Sequence, residues 1–277
     1  MTTIVIIHPG EMGVSVAASA IQSGHRVLWS GHSRSEKTRQ RAEAHKLIEV
    51  SSLTELCKQS EVILSVCPPH AAEDVADLVV EQNFKGLYLD ANAISPQRTI
   101  QLGHQLEKHG INFVDGGIIG GPAWKPGETR LYLAGKDAQV IADCFANGLL
   151  ETQIIRDEIG KASALKMCYA AYSKGTTALL AAILATAESL GVRDDLYTQW
   201  ELDEPGFTNQ VNGRVKRVTS KAWRFEGEMH EIAETFYKSG LPEGFHKAAA
   251  EVYRRMAGFK DADEVPVLED VLSALVK

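Results

Sequence analysis

A chain of 277 residues is long enough to bury a sizeable core and predicts one or two domains. Lys and Arg total 29 against 36 Asp and Glu, a net charge of −7 spread along the chain, so no electrostatic footprint for nucleic acid is expected. No uninterrupted apolar run reaches membrane-spanning length, and residues 178–187 are too few and have polar flanks, so no membrane partner is expected. Cys57, Cys67, Cys144 and Cys168 are scattered, with neither a CxxC pair nor a histidine at zinc spacing, so they read as reduced thiols and no metal site is expected. With a strand-like N-terminus that lacks a charged leader, they predict a cytoplasmic protein.

The first element is an apolar β-branched run, Thr3-Ile4-Val5-Ile6-Ile7, which leads through His8-Pro9 into Gly10-Glu11-Met12-Gly13. A small-residue helix follows to Gly24, and a second strand begins at Arg26. This is a βαβ unit whose first turn, Pro9 to Gly13, is a candidate dinucleotide site. Uncapped N–H groups and the positive helix end attract a phosphate there. Gly10 permits close approach of a pyrophosphate, and Gly13 permits tight packing of helix on strand. His8 stands where the usual fingerprint has its first glycine, and reads as a turn residue.

Strand and helix signals then alternate. Residues 26–29 are a strand and 36–45 a helix. Residues 61–66 form a buried strand stopped by Cys67-Pro68-Pro69, because proline cannot continue a ladder. Strands follow at 86–90 and 111–115, with a late, antiparallel edge strand at 130–135. Such alternation predicts an α/β, doubly wound, mainly parallel sheet, with ligands beyond the carboxyl ends of its strands. Those ends are Gly10, 30–34, 67–70, 90–92 and 115–121. Beyond residue 156 the strand signals disappear, dividing the chain into an α/β domain at 1–156 and an all-α domain at 157–277. The latter opens with one Ala- and Leu-rich helix of about thirty residues, 160–190, about 45 Å long. Further helices are predicted around 211–239, 245–256 and 266–276, with a solvated loop at 201–204.

Lys166, near the start of that long helix, is the candidate acid/base. Tyr169, Ala170, Ser173 and Lys174 follow at three, four, seven and eight residues and share its helical face. In a cleft, desolvation and Lys174 would favour the neutral amine, which could take a proton from a hydroxyl group. A solvated surface lysine is the alternative.

In this order, Gly10-Glu11-Met12-Gly13, then Asp115-Gly116-Gly117-Ile118-Ile119-Gly120-Gly121-Pro122, then Lys166 resemble the β-hydroxyacid dehydrogenases, the 6-phosphogluconate dehydrogenase-like superfamily. The likeness spans nearly the whole chain. Segments 90–96, 222–229 and 240–242 are similar to a branch with a C-terminal helical domain of unknown function. The resemblance implies an N-terminal Rossmann domain, a homodimer, and a small-molecule substrate in a cleft between the domains. It implies that Lys166 exchanges a proton with the substrate hydroxyl while hydride passes to a nicotinamide. The loop at Ile118, Ile119, Gly120 and Gly121 would then hold a substrate carboxylate, and Cys67, Pro68 and Asn92 would border the nicotinamide. Ile119 replaces the family's carboxylate-binding serine, leaving backbone N–H groups there. Tyr169 and Ala170 occupy the stretch of the usual asparagine, and Tyr169 could donate to the substrate in its place. These departures leave the substrate open among small hydroxy- or oxo-acid-like compounds.

Cofactor choice leans to NADP over NAD. The second strand runs into Ser30-Gly31-His32-Ser33-Arg34 with no acid until Glu36, and Ser33 and Arg34 could hold a 2′-phosphate. Arg224 has a fork that matches a carboxylate, with a helix-surface ion pair as its alternative. Ser173 shares the substrate-facing stretch, while Trp124, Lys125, Trp223 and Glu228 are weaker candidates for the pocket. Rival readings are an imine reductase-like enzyme and a nucleotide-binding sensor without turnover.

Overall fold

The computed structural model describes every residue except 261, 263 and 277. Its strands are β1 (Thr3–Ile6), β2 (Arg26–Ser30), β3 (Ile48–Val50), β4 (Val62–Ser65), β5 (Leu87–Asp90), β6 (Asn112–Gly120), β7 (Thr129–Ala134) and β8 (Glu151–Arg156). Between them run α1 (Glu11–Gln22), α2 (Glu36–Ala44), α3 (Leu53–Gln59), α4 (Ala72–Glu81), α5 (Pro96–Lys108) and α6 (Ala138–Asp143), and α7 (Lys161–Ala170) follows. Two compact units divide the chain, at Met1–Met167 and Cys168–Lys277.

The first unit is one sheet of order β3-β2-β1-β4-β5-β6-β7-β8, parallel from β3 to β6. The direction of strand order reverses between β1 and β4, where doubly wound sheets open a crevice for ligands. Both faces are covered, as the period-two pattern requires. Ile4, Ile6, Val62, Leu64, Leu87 and Leu89 face one core with α1 and α6. Val5, Ile7, Ile63, Tyr88 and Phe113 face the other with α3, α4 and α5.

Two strand expectations are corrected. The late strand β7 is antiparallel to β6 but is not the edge, because β8 pairs outside it. Strand β8 escapes notice in the sequence because it is largely exposed and carries little apolar alternation. Residues 116–120, expected as loop, extend β6, since β7 supplies a ladder partner as far as Gly120↔Thr129.

The second unit is all helix among its described residues: α8 (Thr176–Ser189), α9 (Arg193–Asp203), α10 (Phe207–Val218), α11 (Ala222–Lys238), α12 (Gly244–Arg255) and α13 (Leu268–Val276). Helix α8 packs on α10, α12 and α13, and α11 runs along α12. Residues 201–203, expected in a loop, close α9, where the Glu201 carboxylate accepts from the N–H groups of Gly206 and Thr208. The predicted long helix is interrupted by a π-type turn, Ala171–Gly175. Its carbonyls are answered from elsewhere in the unit: Arg214 donates to Ser173 O at 2.5 Å, and Tyr253 Oη donates to Lys174 O at 2.8 Å. Seven- and eight-residue spacing counted through such a turn does not return to one face. Ser173 and Lys174 therefore fall outside the helical register expected for them.

Candidate active site

Helix α1 begins at Gly10 (φ −67°, ψ −172°), and no side chain caps its first turn. A Cβ at Gly10 would meet nothing within 4 Å, so the backbone there is open to an approaching group. At Gly13 the same atom would lie 2.2 Å from the His8 carbonyl oxygen, so only glycine lets the helix sit this close to the preceding turn. An uncapped helix N-terminus with an open cradle at Gly10 fits a pyrophosphate. Pro9 is buried, Met12 is half-buried and Glu11 is exposed, so the turn presents main chain rather than charge. Burial, and then the Arg34 charge, push His8 down to about 4, so its imidazole is neutral near pH 7. Its Nδ1 is buried without a hydrogen-bond partner.

Beyond β2, Ser33 is exposed with φ +58°, and Arg34 folds back so that Nη2 donates to Ile7 O at 3.4 Å. The Arg34 Nε is buried and has no partner. Arg41 approaches the same turn, with Nη1 3.5 Å from Pro9 O. Arg39 is committed to Glu49 and to Gly31 O. The strand itself ends in Ser30 rather than an acid, and the Glu49 carboxylate that reaches the adjacent Gly31 from β3 is paired with Arg39.

Three polar residues lie in register across the carboxyl ends of adjacent strands, Ser65↔Asp90↔Asp115. All three are essentially inaccessible to solvent. Asn92 ties the first two together: its Nδ2 donates to Ser65 Oγ (3.1 Å) and Asp90 Oδ2 (2.7 Å), and its N–H to Asp90 Oδ1 (2.9 Å). The Asn92 Oδ1 accepts from Cys67 N at 2.6 Å, fixing the Cys67-Pro68 backbone. Asn92 is thus fully spent inside the protein, and it is the exposed Pro68 and half-buried Cys67 that reach the surface. Burial raises the Cys67 thiol to about 12, so it stays protonated and is no nucleophile.

Asp115 organises the next element. Its Oδ2 accepts from Gly160 N and Ala162 N (both 2.9 Å), and its Oδ1 from Ser163 N (3.1 Å) and Ser163 Oγ (2.6 Å). A strand-borne carboxylate thus caps the start of α7, satisfying donors that the helix cannot satisfy itself. Thr99 Oγ1 lies 2.9 Å from Ser163 Oγ and joins α5 to the same knot. Two residues along β6, a Cβ at Gly117 would sit 2.6 Å from Ala162 O and 3.2 Å from Lys166 Cβ. Glycine at 117 therefore brings the helix directly onto the strand, and with it Lys166, half-buried at the carboxyl edge of the sheet. The Lys166 charge reaches Asp90, where it opposes the rise that burial imposes. This network was not legible as a site beforehand. Its signal was two apolar strands each ending in Asp, followed by Gly160 and Ser163 just ahead of the lysine.

The Gly120-Gly121 segment is drawn to the same end of the sheet. Thr129 Oγ1 donates to Gly121 O at 2.6 Å, and Ser15 Oγ, on α1, accepts from Ala123 N at 3.0 Å. Ile119 and Gly120 are held in the β6–β7 ladder, so the backbone leaves the ladder only at Gly121. Trp124 stacks on His45 at 4.6 Å. In the helical unit, Ser173 O is taken by Arg214, and Tyr169 is 49% exposed. Lys174, expected to depress Lys166, is instead paired with Glu228 and lies over the Phe225 ring at 4.5 Å, so its charge is compensated. Arg224 is half-buried, and its Nε is buried without a hydrogen-bond partner. No group of three or more His, Cys, Asp or Glu poised for a metal occurs among the described residues, and no helix there is long and apolar enough to cross a membrane.

Comparison with known proteins agrees with this arrangement. Residues 3–144 match the NAD binding domain of 6-phosphogluconate dehydrogenase, and residues 187–256 match a domain of unknown function, DUF1932. An uncharacterised 28.5 kDa protein from Methanothermus fervidus is 30% identical over 163 residues, 59% of this chain and 62% of that one. A solved conserved protein of unknown function, described as structurally similar to 3-hydroxyacid dehydrogenases, superposes with TM-score 0.67 at 26% identity, covering 92% of this chain and 98% of that one. The 3-hydroxyisobutyrate dehydrogenase of Mycobacterium tuberculosis, solved with L-serine, superposes with TM-score 0.74 over 100% of both chains; at 17% identity that likeness is one of fold. With the dinucleotide turn, the sheet order and the match over 3–144 in agreement, the chain belongs to the family of the 6-phosphogluconate dehydrogenase NAD-binding domain, and its first unit is a Rossmann domain for a nicotinamide cofactor.

Proposed function

We propose that this protein is an NAD(P)-dependent oxidoreductase, preferring NADP, that acts on the CH–OH or C=O group of a small hydroxy- or oxo-acid-like substrate with Lys166 as acid/base. The observation that carries this reading is the seating of Lys166: Gly117 and the Asp115 cap hold its helix on the strand ends that also present the Gly10 turn. The nicotinamide accepts or supplies the hydride. In the oxidising direction Lys166 Nζ takes the proton of the substrate hydroxyl, and in the reducing direction it returns one. Glu11, Met12 and Gly13 hold the pyrophosphate through main-chain N–H groups, while Gly10 leaves the approach open and Pro9, which has no N–H, shapes the turn. Cys67 and Pro68, braced by Asn92, border the ring. The Gly120-Gly121 backbone receives the substrate carboxylate beside Ile119; Tyr169, Ser173 and Arg224 of the helical unit are the further substrate-binding residues of this reading, and the unpartnered Arg224 Nε supports an anionic ligand.

The exposed Leu179, Leu190 and Val192 support a homodimer, and the four free cysteines support a reducing compartment such as the cytoplasm. A panel of oxidised cofactor with small hydroxy acids, and of reduced cofactor with oxo acids and imines, tests the reaction. Turnover of a hydroxy or oxo acid is expected. Turnover of imines alone would replace the reading with imine reduction, and tight cofactor binding without any turnover would leave a nucleotide sensor.

NADP preference rests on Arg34, whose buried Nε lacks a partner, and on β2 ending in Ser30 rather than an acid, the nearby Glu49 being paired with Arg39. Arg34→Ala is expected to weaken NADP binding by about ten- to hundredfold, the worth of a charge-assisted hydrogen bond, while NAD binding stays nearly constant. Titration of cofactor fluorescence reads both affinities, and an unchanged NADP/NAD ratio rejects the role.

A further inference from the structure

Two buried carboxyl groups stand side by side in the sheet, yet they are compensated differently. Asp115 has four donors from the start of α7. Asp90 accepts from the N–H and the side-chain amide of Asn92, is 1% exposed, and faces Asp115 as its register neighbour. A buried carboxylate needs a counter-charge or a proton. The charge of Lys166 acts on Asp90, and Lys166 is carried on the helix that Asp115, the register neighbour of Asp90, caps and that seats on Gly117.

We propose that Asp90 is a positioning residue for Lys166: its carboxylate holds the amine at the sheet edge and stabilises the positive charge that appears when Lys166 accepts a proton. The inference rests on the acid/base reading given above. In oxidation the substrate O–H bond breaks and an N–H bond forms on Lys166, placing an ammonium next to Asp90. In reduction that proton goes back to the nascent alkoxide, and Asp90 neither gains nor loses one. Helix α7, capped by Asp115, and the strand ladders hold the two groups in place, so the charge meets its partner without rearrangement.

The other titratable groups around Asp90 do not compete for this role. From the end of β4, Cys67 is held protonated by burial, and on β5 so is Tyr88, whose phenol burial raises well above its ordinary value. From α4, Glu73 is engaged by Arg98 of α5. From β6, Asp115 adds like charge, and it makes the demand for a cation at Asp90 stronger. Burial raises Asp90 to about 7, with Asn92 and then Lys166 opposing that rise, so an ammonium on Lys166 favours the carboxylate form that the proposal uses.

The test uses the full chain without cofactor. Competitive acetylation of Lys166 with acetic anhydride across pH, read by peptide mass spectrometry against the other lysines, gives the titration midpoint of its amine. Removing a neighbouring carboxylate charge in Asp90→Asn is expected to lower that midpoint by about one to two pH units. The acid limb of kcat/KM for oxidation is expected to move down with it. Linkage makes the effect reciprocal. Lys166→Met is therefore expected to raise the Asp90 midpoint by a similar amount, read by carboxyl carbon NMR, and this arm decides should Asp90→Asn fail to fold. Unchanged midpoints in both directions overturn the proposal, even when Lys166→Met is inactive. Coupled shifts in a chain that keeps full activity as Lys166→Met would uphold the pairing and sink the dehydrogenase chemistry it serves.

Discussion

Lys166→Met is expected to lower turnover by about two to four orders of magnitude, the usual worth of a positioned acid/base. Methionine matches the length and apolar stem of lysine, so the helix should still seat on Gly117, where the neighbouring atom is Lys166 Cβ. The loss should therefore fall on chemistry. The proposed cofactor-binding groups, the Gly10 turn and Arg34, are untouched by the substitution, so cofactor affinity should stay within about twofold by the independence of separated sites. Steady-state rates on the substrate found in the panel, alongside cofactor titration, separate the two quantities. Turnover at the wild-type rate would remove Lys166 from the mechanism; loss of cofactor binding would mean the residue acts on the fold.

The second large effect belongs to Asp115→Ala. Its carboxylate satisfies three main-chain N–H groups and the Ser163 hydroxyl, all buried. Deleting it strands these donors away from water and frees the start of α7 from the sheet. A loss of about 3–5 kcal/mol in unfolding free energy is expected, partly offset by relief of repulsion on Asp90. Asp115→Asn keeps one acceptor oxygen and the side-chain volume, and should cost less than half as much. Urea unfolding of both variants checks the order. Equal and small losses would show that the cap is dispensable and that packing on Gly117 alone holds the helix.

Much of the first unit was legible because its signals are local. The β-branched run at 3–7, the glycines at 10 and 13, and the proline stop after Cys67 each act on their own neighbours. What could not be read depends on partners distant in the chain. Strand β8 is exposed and polar, and exists because β7 offers an edge. Residues 116–120 look like a glycine loop until β7 pairs with them. Lys166 was proposed from its place in a family resemblance, and the groups that seat it, Asp115 and Gly117, lie some fifty residues earlier and meet it only through register. Lys174 was misjudged for the same reason, since its compensation comes from Glu228 on another helix.

The π-type turn at Ala171–Gly175 has a consequence for how such chains vary. It amounts to one residue inserted in a helix, which ordinarily leaves carbonyl groups stranded. Here Arg214 and Tyr253, 41 and 79 residues downstream of the atoms they serve, cancel that penalty. The extra residue thus depends on side chains far along the chain: removing the arginine or the tyrosine would strand a carbonyl of the turn and favour an unbroken helix.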